Sequence, residues 1–183
     1  MNRECAEDAP RDLLIIGYGN QLRSDDGVGP KVVEMVAGWQ LPGVRTVVCH
    51  QLAPELAVPL ANAAQVMFVD AGIGSRSLRV RRVAPLQSAQ VMTHTVDPGA
   101  LLQLTQRLYN RCPPALSLTI PAEDFRFGDN LSEVCRQGMQ AALSQIRVLA
   151  IRPPAHKTWP RREQKRRNVR QPRPRAYPPG TSL

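Results

Sequence analysis

The sequence predicts an α/β domain, a three-layer αβα arrangement in which a twisted, mostly parallel sheet of about five strands lies between helices, followed by a disordered basic C-terminal tail. Three observations predict it. Short continuous apolar runs, Leu13-Leu14-Ile15-Ile16 and Val66-Met67-Phe68-Val69, have the composition of strands buried on both faces. Segments with apolar residues at helical spacing alternate with those runs, as βαβ units require. Charge divides the 183 residues: positions 1–151 hold 14 Lys+Arg against 14 Asp+Glu, whereas 152–183 hold ten basic residues and one acid, Glu163. The net charge of +9 therefore belongs to the tail, and the fold itself is neutral. A body of this size supports one hydrophobic core, so the expected organisation is a polar leader (1–12), one domain (13–151) and a tail (152–183).

The first strand, Leu13 to Ile16, stops in the glycine turn Gly17-Tyr18-Gly19-Asn20. Val28, Val32, Met35, Val36 and Trp39 then recur at helical spacing, with Pro30 in the first turn and Gly38 and Pro42-Gly43 as the stop. Thr46 to Cys49 is a second β-branched run, Pro54 to Leu60 a short helix, and Val66 to Val69 a third strand that ends at Asp70-Ala71-Gly72. Leu78 to Val83 mixes Arg with apolar residues as an edge strand does, and is expected to be antiparallel or marginal. Pro98 to Tyr109 supplies a helix through Leu101, Leu102, Leu104 and Leu108, and Leu116 to Ile120 the last strand. Leu131, Cys135, Met139, Ala142, Ile146 and Leu149 form the stripe of a final helix, with Asn130 and Glu133 spaced as a capping box. From Arg152 onward, seven prolines and ten basic residues without apolar periodicity predict disorder.

Four groups of residues invite chemistry. Gly17-Tyr18-Gly19 suggests a dinucleotide loop, but the third glycine of that pattern falls on Leu22, and the second strand ends in Cys49-His50 where a ribose-binding carboxylate belongs. Asp25-Asp26-Gly27 precedes the first helix; one carboxylate, Asp25, suffices as its cap, which leaves Asp26 as an oxygen ligand or an acid/base group. Asp70 follows a buried strand, so it either accepts N–H bonds in the Gly72 turn or meets a cation at the carboxyl ends of the strands. His94 stands in the loop before the third helix, as a solvated histidine or as the third member of an Asp/Asp/His ligand set. Four scattered cysteines without a C-x-x-C pair indicate neither a disulfide scaffold nor a zinc site. No serine, cysteine or threonine has a nucleophile setting, and no G-x-S-x-G elbow is present.

Taken in order, Gly17-Tyr18-Gly19-Asn20-Gln21-Leu22, Asp25-Asp26-Gly27-Val28-Gly29, Val69-Asp70-Ala71, Thr93-His94 and Ile120-Pro121-Ala122-Glu123 through Gly128, Leu131 and Ser132 resemble the hydrogenase maturation protease family. The resemblance spans about Leu13 to Leu149. It implies an endopeptidase that removes the C-terminal extension of the nickel-loaded large-subunit precursor of a nickel-iron hydrogenase. The family's metal-contacting positions carry over to Asp26, Asp70 and His94, with Asp at the first where some relatives have Glu. Nickel would arrive with the precursor, and no organic cofactor is implied. Either the substrate's metal, contacted by the three side chains, docks or polarises the scissile bond, or Asp26 or Asp70 serves as general base for water. The segment Thr95-Val96-Asp97-Pro98 lacks the Gln that follows this His in some members, and the tail has no family counterpart.

Three other readings compete. One is a non-catalytic nickel-sensing scaffold for the same precursor; another is a nucleic-acid binder driven by the tail, which lacks a recognition helix or aromatic platform in the body; the third is a small α/β hydrolase or phosphorylase sharing the layered fold, whose serine form the missing elbow argues against. The expected protein is cytoplasmic and monomeric, without a membrane span or a specific nucleic-acid partner, because the polar residues 1–12 lack a signal-peptide pattern and no apolar run is long enough.

Overall fold

The computed structural model describes residues 12–86 and 97–151. Residues 1–11 and 152–183, which include Cys5 and His156, and the segment 87–96 that carries His94 lie outside the described residues. Strands β1 (Leu13–Tyr18), β2 (Val44–Cys49), β3 (Gln65–Gly72), β4 (Arg79–Val83) and β5 (Ala115–Pro121) form one sheet in the order β2-β1-β3-β5-β4. All pairings are parallel except β4 with β5, which is antiparallel. The Arg-rich edge strand is thus where its mixed pattern predicted it, because only an edge tolerates charges at successive positions.

Helices α1 (Val28–Ala37), α2 (Ala57–Ala61), α3 (Pro98–Tyr109) and α4 (Glu133–Ile151) cover the two faces. Alternation along the strands assigns the covers. Ile15, Met67, Val69, Leu118 and Ile120 face α1 and α4, meeting Val32, Val36, Cys135, Ala142 and Ile146. Leu14, Ile16, Val66 and Phe68 face the other way, onto Leu56, Leu60, Leu101 and Leu102. Each such fully buried side chain contributes about 1.5–3 kcal/mol, which is why the continuous apolar runs became the central strands.

Local differences from the sequence pattern have simple causes. In α1 the buried face includes Val33, which joins Val32 and Val36 in the core, whereas Met35 is 45% exposed. Leu108 on α3 is exposed, beyond the reach of the sheet. The third strand continues through Asp70, Ala71 and Gly72, because β5 stays paired with it as far as Pro121. Asn130 does not cap α4: Ser132 does, its Oγ accepting from Cys135 N at 3.2 Å, while Glu133 bonds Arg136 and Gln137 on the exposed face. Among the described residues no helix is long and apolar enough to cross a membrane.

The helix α1 starts unusually close to the sheet. A Cβ on Gly17 would sit 2.3 Å from the Gly29 carbonyl oxygen, and one on Gly29 would sit 2.5 Å from Val69 O and 2.6 Å from Tyr18 O. Backbone thus packs on backbone at the carboxyl ends of β1 and β3. Gly29→Ala should therefore lose about 2 kcal/mol or more of stability in urea denaturation.

Candidate functional site

The sheet reverses its winding between β1 and β3. The chain passes from β1 to β2 on one side and returns to β3 on the other, so the loops leaving β1 and β3 diverge and open a crevice at the carboxyl ends of both strands. The loop after β1 folds back over this end. Gly19 has φ +140°, and a Cβ there would lie 1.9 Å from Asp26 O, so the glycine is demanded by the tight return. Asn20 N donates to Asp26 Oδ2 at 2.8 Å, which orients the carboxylate at the start of α1 and leaves its other oxygen unbonded by this contact. The glycine turn is thus a packing device for a carboxylate, which agrees with the failure of the dinucleotide pattern.

Asp70 enters the same crevice from β3. Tyr18, the last residue of β1, donates its hydroxyl to the Asp70 carboxylate. Register extends this pair across the sheet: Tyr18 is level with Cys49 on β2, Asp70 with Thr119 on β5, and Thr119 with Arg79 on β4. These side chains share the face that carries Leu14, Ile16 and Phe68, and so form one polar row along the open end of an apolar layer.

Burial pushes the Asp70 carboxyl up to about 6, against the pull of the Tyr18 hydroxyl and the Ala71 N–H, and the nearby Asp26 charge pushes it the same way. Burial, the Asp70 charge and the bond to Asp70 raise the Tyr18 hydroxyl, so it remains a proton donor in that bond throughout the neutral range. Two carboxylates that repel each other, one of them desolvated, can be satisfied by a cation or by a proton held between reactants. Oxygen donors of this kind suit a hard or borderline divalent ion.

Asp25 does not cap α1, contrary to the expectation from its position. Neither that helix nor the short turn Ser24–Gly27 has a side-chain cap, and Asp25 is completely buried. Its carboxylate accepts from Glu123 N (2.9 Å), Asp124 N (3.0 Å), Ser132 N (2.7 Å) and Ser132 Oγ (2.7 Å). Burial alone would raise its pKa, but these four donors outweigh burial and lower it. Asp25 N also donates to Asp124 O, and Ser24 N to Gly128 O. Asp25 is therefore the tie between the turn that carries Asp26 and the loop that launches α4.

The structure brings Asp26 and Asp70 to one crevice, while His94 lies outside the described residues. Among the described residues, no group of three His, Cys, Asp or Glu stands close enough to hold a metal. Cys49, Cys112 and Cys135 are free thiols, each raised by burial, with Cys135 pushed up to about 12, so none is an activated nucleophile. A separate concavity of about 670 Å³ lies between Arg23 and the loop Glu123–Phe127, and neither Asp26 nor Asp70 lines it. Sequence reasoning missed Tyr18 as a partner of Asp70. Its signal was present, since Tyr18 follows Leu14 and Ile16 at the two-residue period of one face. Thr119 and Arg79 had no such signal, because only register places them level with Asp70.

No protein-family model matches the sequence, and no curated protein matches it. Solved structures do. The chain is similar to the hydrogenase maturating endopeptidase HybD from E. coli, at 21% identity over 75% of this chain and 91% of that one, with a TM-score of 0.59. It is similar to the [NiFe] hydrogenase maturation protease HycI from Thermococcus kodakarensis KOD1, at 18% identity over 77% of this chain and 93% of that one, with a TM-score of 0.61. An uncharacterized protein from Wolinella succinogenes shares the fold at 20% identity over 76% of this chain and 96% of that one, TM-score 0.55. The fold is that of the hydrogenase maturation endopeptidases, in agreement with the resemblance carried by the motifs.

Two outcomes follow from the geometry. Asp25→Ala should lose about 3 kcal/mol in denaturant unfolding, more than the ~1 kcal/mol of a helix cap, because it strands several buried donors at once. Asp70 behaves oppositely. Its folded pKa of about 6 exceeds the unfolded value of 3.8, so its contribution to stability is fully present below pH ~4 and is lost as pH rises through 6. Asp70→Asn should match wild type in thermal unfolding near pH 4 and be more stable by roughly 2 kcal/mol at pH 8.

Proposed function

We propose that this protein is an endopeptidase that removes the C-terminal extension from the nickel-loaded large-subunit precursor of a nickel-iron hydrogenase. The observation that carries the reading is the pair Asp26 and Asp70 at the winding reversal of a fold shared with hydrogenase maturation endopeptidases. A raised carboxyl beside a second carboxylate suits two roles at neutral pH, as a cation contact and as a proton acceptor from water. Asp26 and Asp70, with His94, are assigned as the residues that contact the substrate's nickel, and Asp70 as the proton acceptor when water attacks the scissile carbonyl. Tyr18 orients the Asp70 carboxylate by holding one edge of it. Nickel is substrate-borne in this scheme and supplies recognition of the loaded precursor.

A protein-sized substrate fits the rim of the crevice. The three most exposed large apolar residues among those described are Phe127 (87%), Ile73 (74%) and Leu22 (71%). They stand on the loops that follow β5, β3 and β1, all at the carboxyl end of the parallel strands. Exposed apolar side chains gathered at one end mark a surface that another macromolecule covers. The compartment proposed is the cytoplasm, where thiols stay reduced.

The test is co-expression with the large-subunit precursor, with and without nickel, read by intact mass. Wild type should release a C-terminal peptide only when nickel is supplied, and Asp26→Ala, Asp70→Ala and His94→Ala should each lower processing at least a hundredfold while remaining folded. Near-normal cleavage by all three variants would remove the site assignment, and binding without a mass change would make the protein a scaffold.

A further inference from the structure

The polar row across the sheet ends in Arg79, whose guanidinium has no partner among the described residues. Arg79 is level with Thr119, which is level with Asp70, so all three point to one face of the sheet. Neighbouring strands are about 4.8 Å apart, which puts the Arg79 backbone about 10 Å from that of Asp70. The side chain closes much of this gap. A Cβ built on Gly72 would lie 3.5 Å from Arg79 Nη2 and 2.1 Å from Thr119 Cγ2, so the guanidinium reaches across β5 to β3, two residues past Asp70 on the same face. Gly72 has a steric reason to be glycine: a Cβ there would strike Thr119 Cγ2 and would stand in contact with the Arg79 guanidinium.

Despite this approach, among the described residues no cation counters the burial of Asp70, whose bonds come from Tyr18 and the Ala71 N–H. Among the described residues Arg79 makes no hydrogen bond and no ion pair; the ion pairs engage Arg45, Arg126 and Arg136. It is half-buried, held against the sheet with its planar donor fork unspent, whereas Arg81 beside it is exposed. An arginine fixed in this manner presents two parallel N–H donors, which fit a carboxylate better than any other group of a polypeptide.

We infer that Arg79 is a substrate-binding residue that takes a carboxylate of the polypeptide substrate and so fixes the segment laid across Asp70. This inference deepens the proposed function and relies on it for the identity of the substrate. It makes Arg79 a specificity element: a substrate with an acidic side chain at the matching position is held in register, and one without it slides.

The test has two arms. In the first, protein labelled with 15N-arginine is titrated with N-acetylglutamate, a probe that carries carboxylates and nothing of the precursor. The Arg79 Nε–Hε resonance should move saturably while that of the exposed Arg111, at the other end of β5, does not. No movement, or equal movement at both, overturns the inference whether or not the precursor is the substrate. In the second, precursor cleavage by Arg79→Gln should show at least a tenfold rise in KM, Arg79→Lys an intermediate rise, and Arg111→Gln the wild-type value. Replacing the acidic residues of the cleaved segment by their amides should erase the difference between wild type and Arg79→Gln. An unchanged KM, or a fall in kcat at constant KM, overturns the inference; failure of wild type to cleave removes the proposed function instead and leaves the first arm to decide Arg79.

Discussion

The site depends on a carboxylate that takes no part in its chemistry. Asp25 lies in the interior with no exposure, and its two oxygens collect four hydrogen bonds from Glu123, Asp124 and Ser132, residues about a hundred positions away in the chain. A buried anion is tolerated only when donors replace its hydration, and here nearly all of them are backbone or short side-chain groups with little freedom to move. The tie therefore fixes two loops at once: the turn that aims Asp26, and the segment whose Ser132 caps α4. Its neighbour Asp26 can then stay half-exposed, because the backbone around it is held by something else.

The crevice inherits its character from the sheet. Parallel strands covered on both faces leave only their ends open, and the reversal of winding between β1 and β3 separates the loops at one of those ends. Side chains there sit half in an apolar layer and half in water. For Tyr18 and Asp70 this intermediate position has opposite consequences: the phenol becomes a firmer donor, and the carboxyl becomes easier to protonate. The pair is stable as a hydrogen bond and unstable as a charge, which is the condition under which a carboxylate binds a cation or accepts a proton from water. The cost is carried by the rest of the core, of which Phe68, Leu14 and Ile16 lie on the same face of the sheet.

Glycine has a particular task in this architecture. Gly17, Gly19 and Gly29 all stand where a Cβ would strike a backbone carbonyl, and together they let the start of α1 rest against the ends of β1 and β3. The result is a floor of main chain beneath the carboxylates. Gly72 works differently, leaving room for Thr119 and for the reach of Arg79 across β5. Short distances at the site are thus set by absent side chains as much as by those present.

Periodicity and residue type alone determined the layers, the strands and the Arg-rich edge, and pointed to two carboxylates near the strand ends, because burial on both faces demands continuous apolar runs and a lone Asp after such a run is costly unless something needs it. Tertiary structure decided the rest. Whether Asp25 caps its own helix or ties down a distant loop depends on which donors come within 3 Å, and those donors lie in a segment that no local pattern connects to it. The capping role passed from Asn130 to Ser132 for the same reason, since Asp25 also binds Ser132 and sets where α4 begins. The row from Cys49 through Tyr18, Asp70 and Thr119 to Arg79 exists only in the register of five strands, and a shift of one residue in any strand would turn its member to the opposite face.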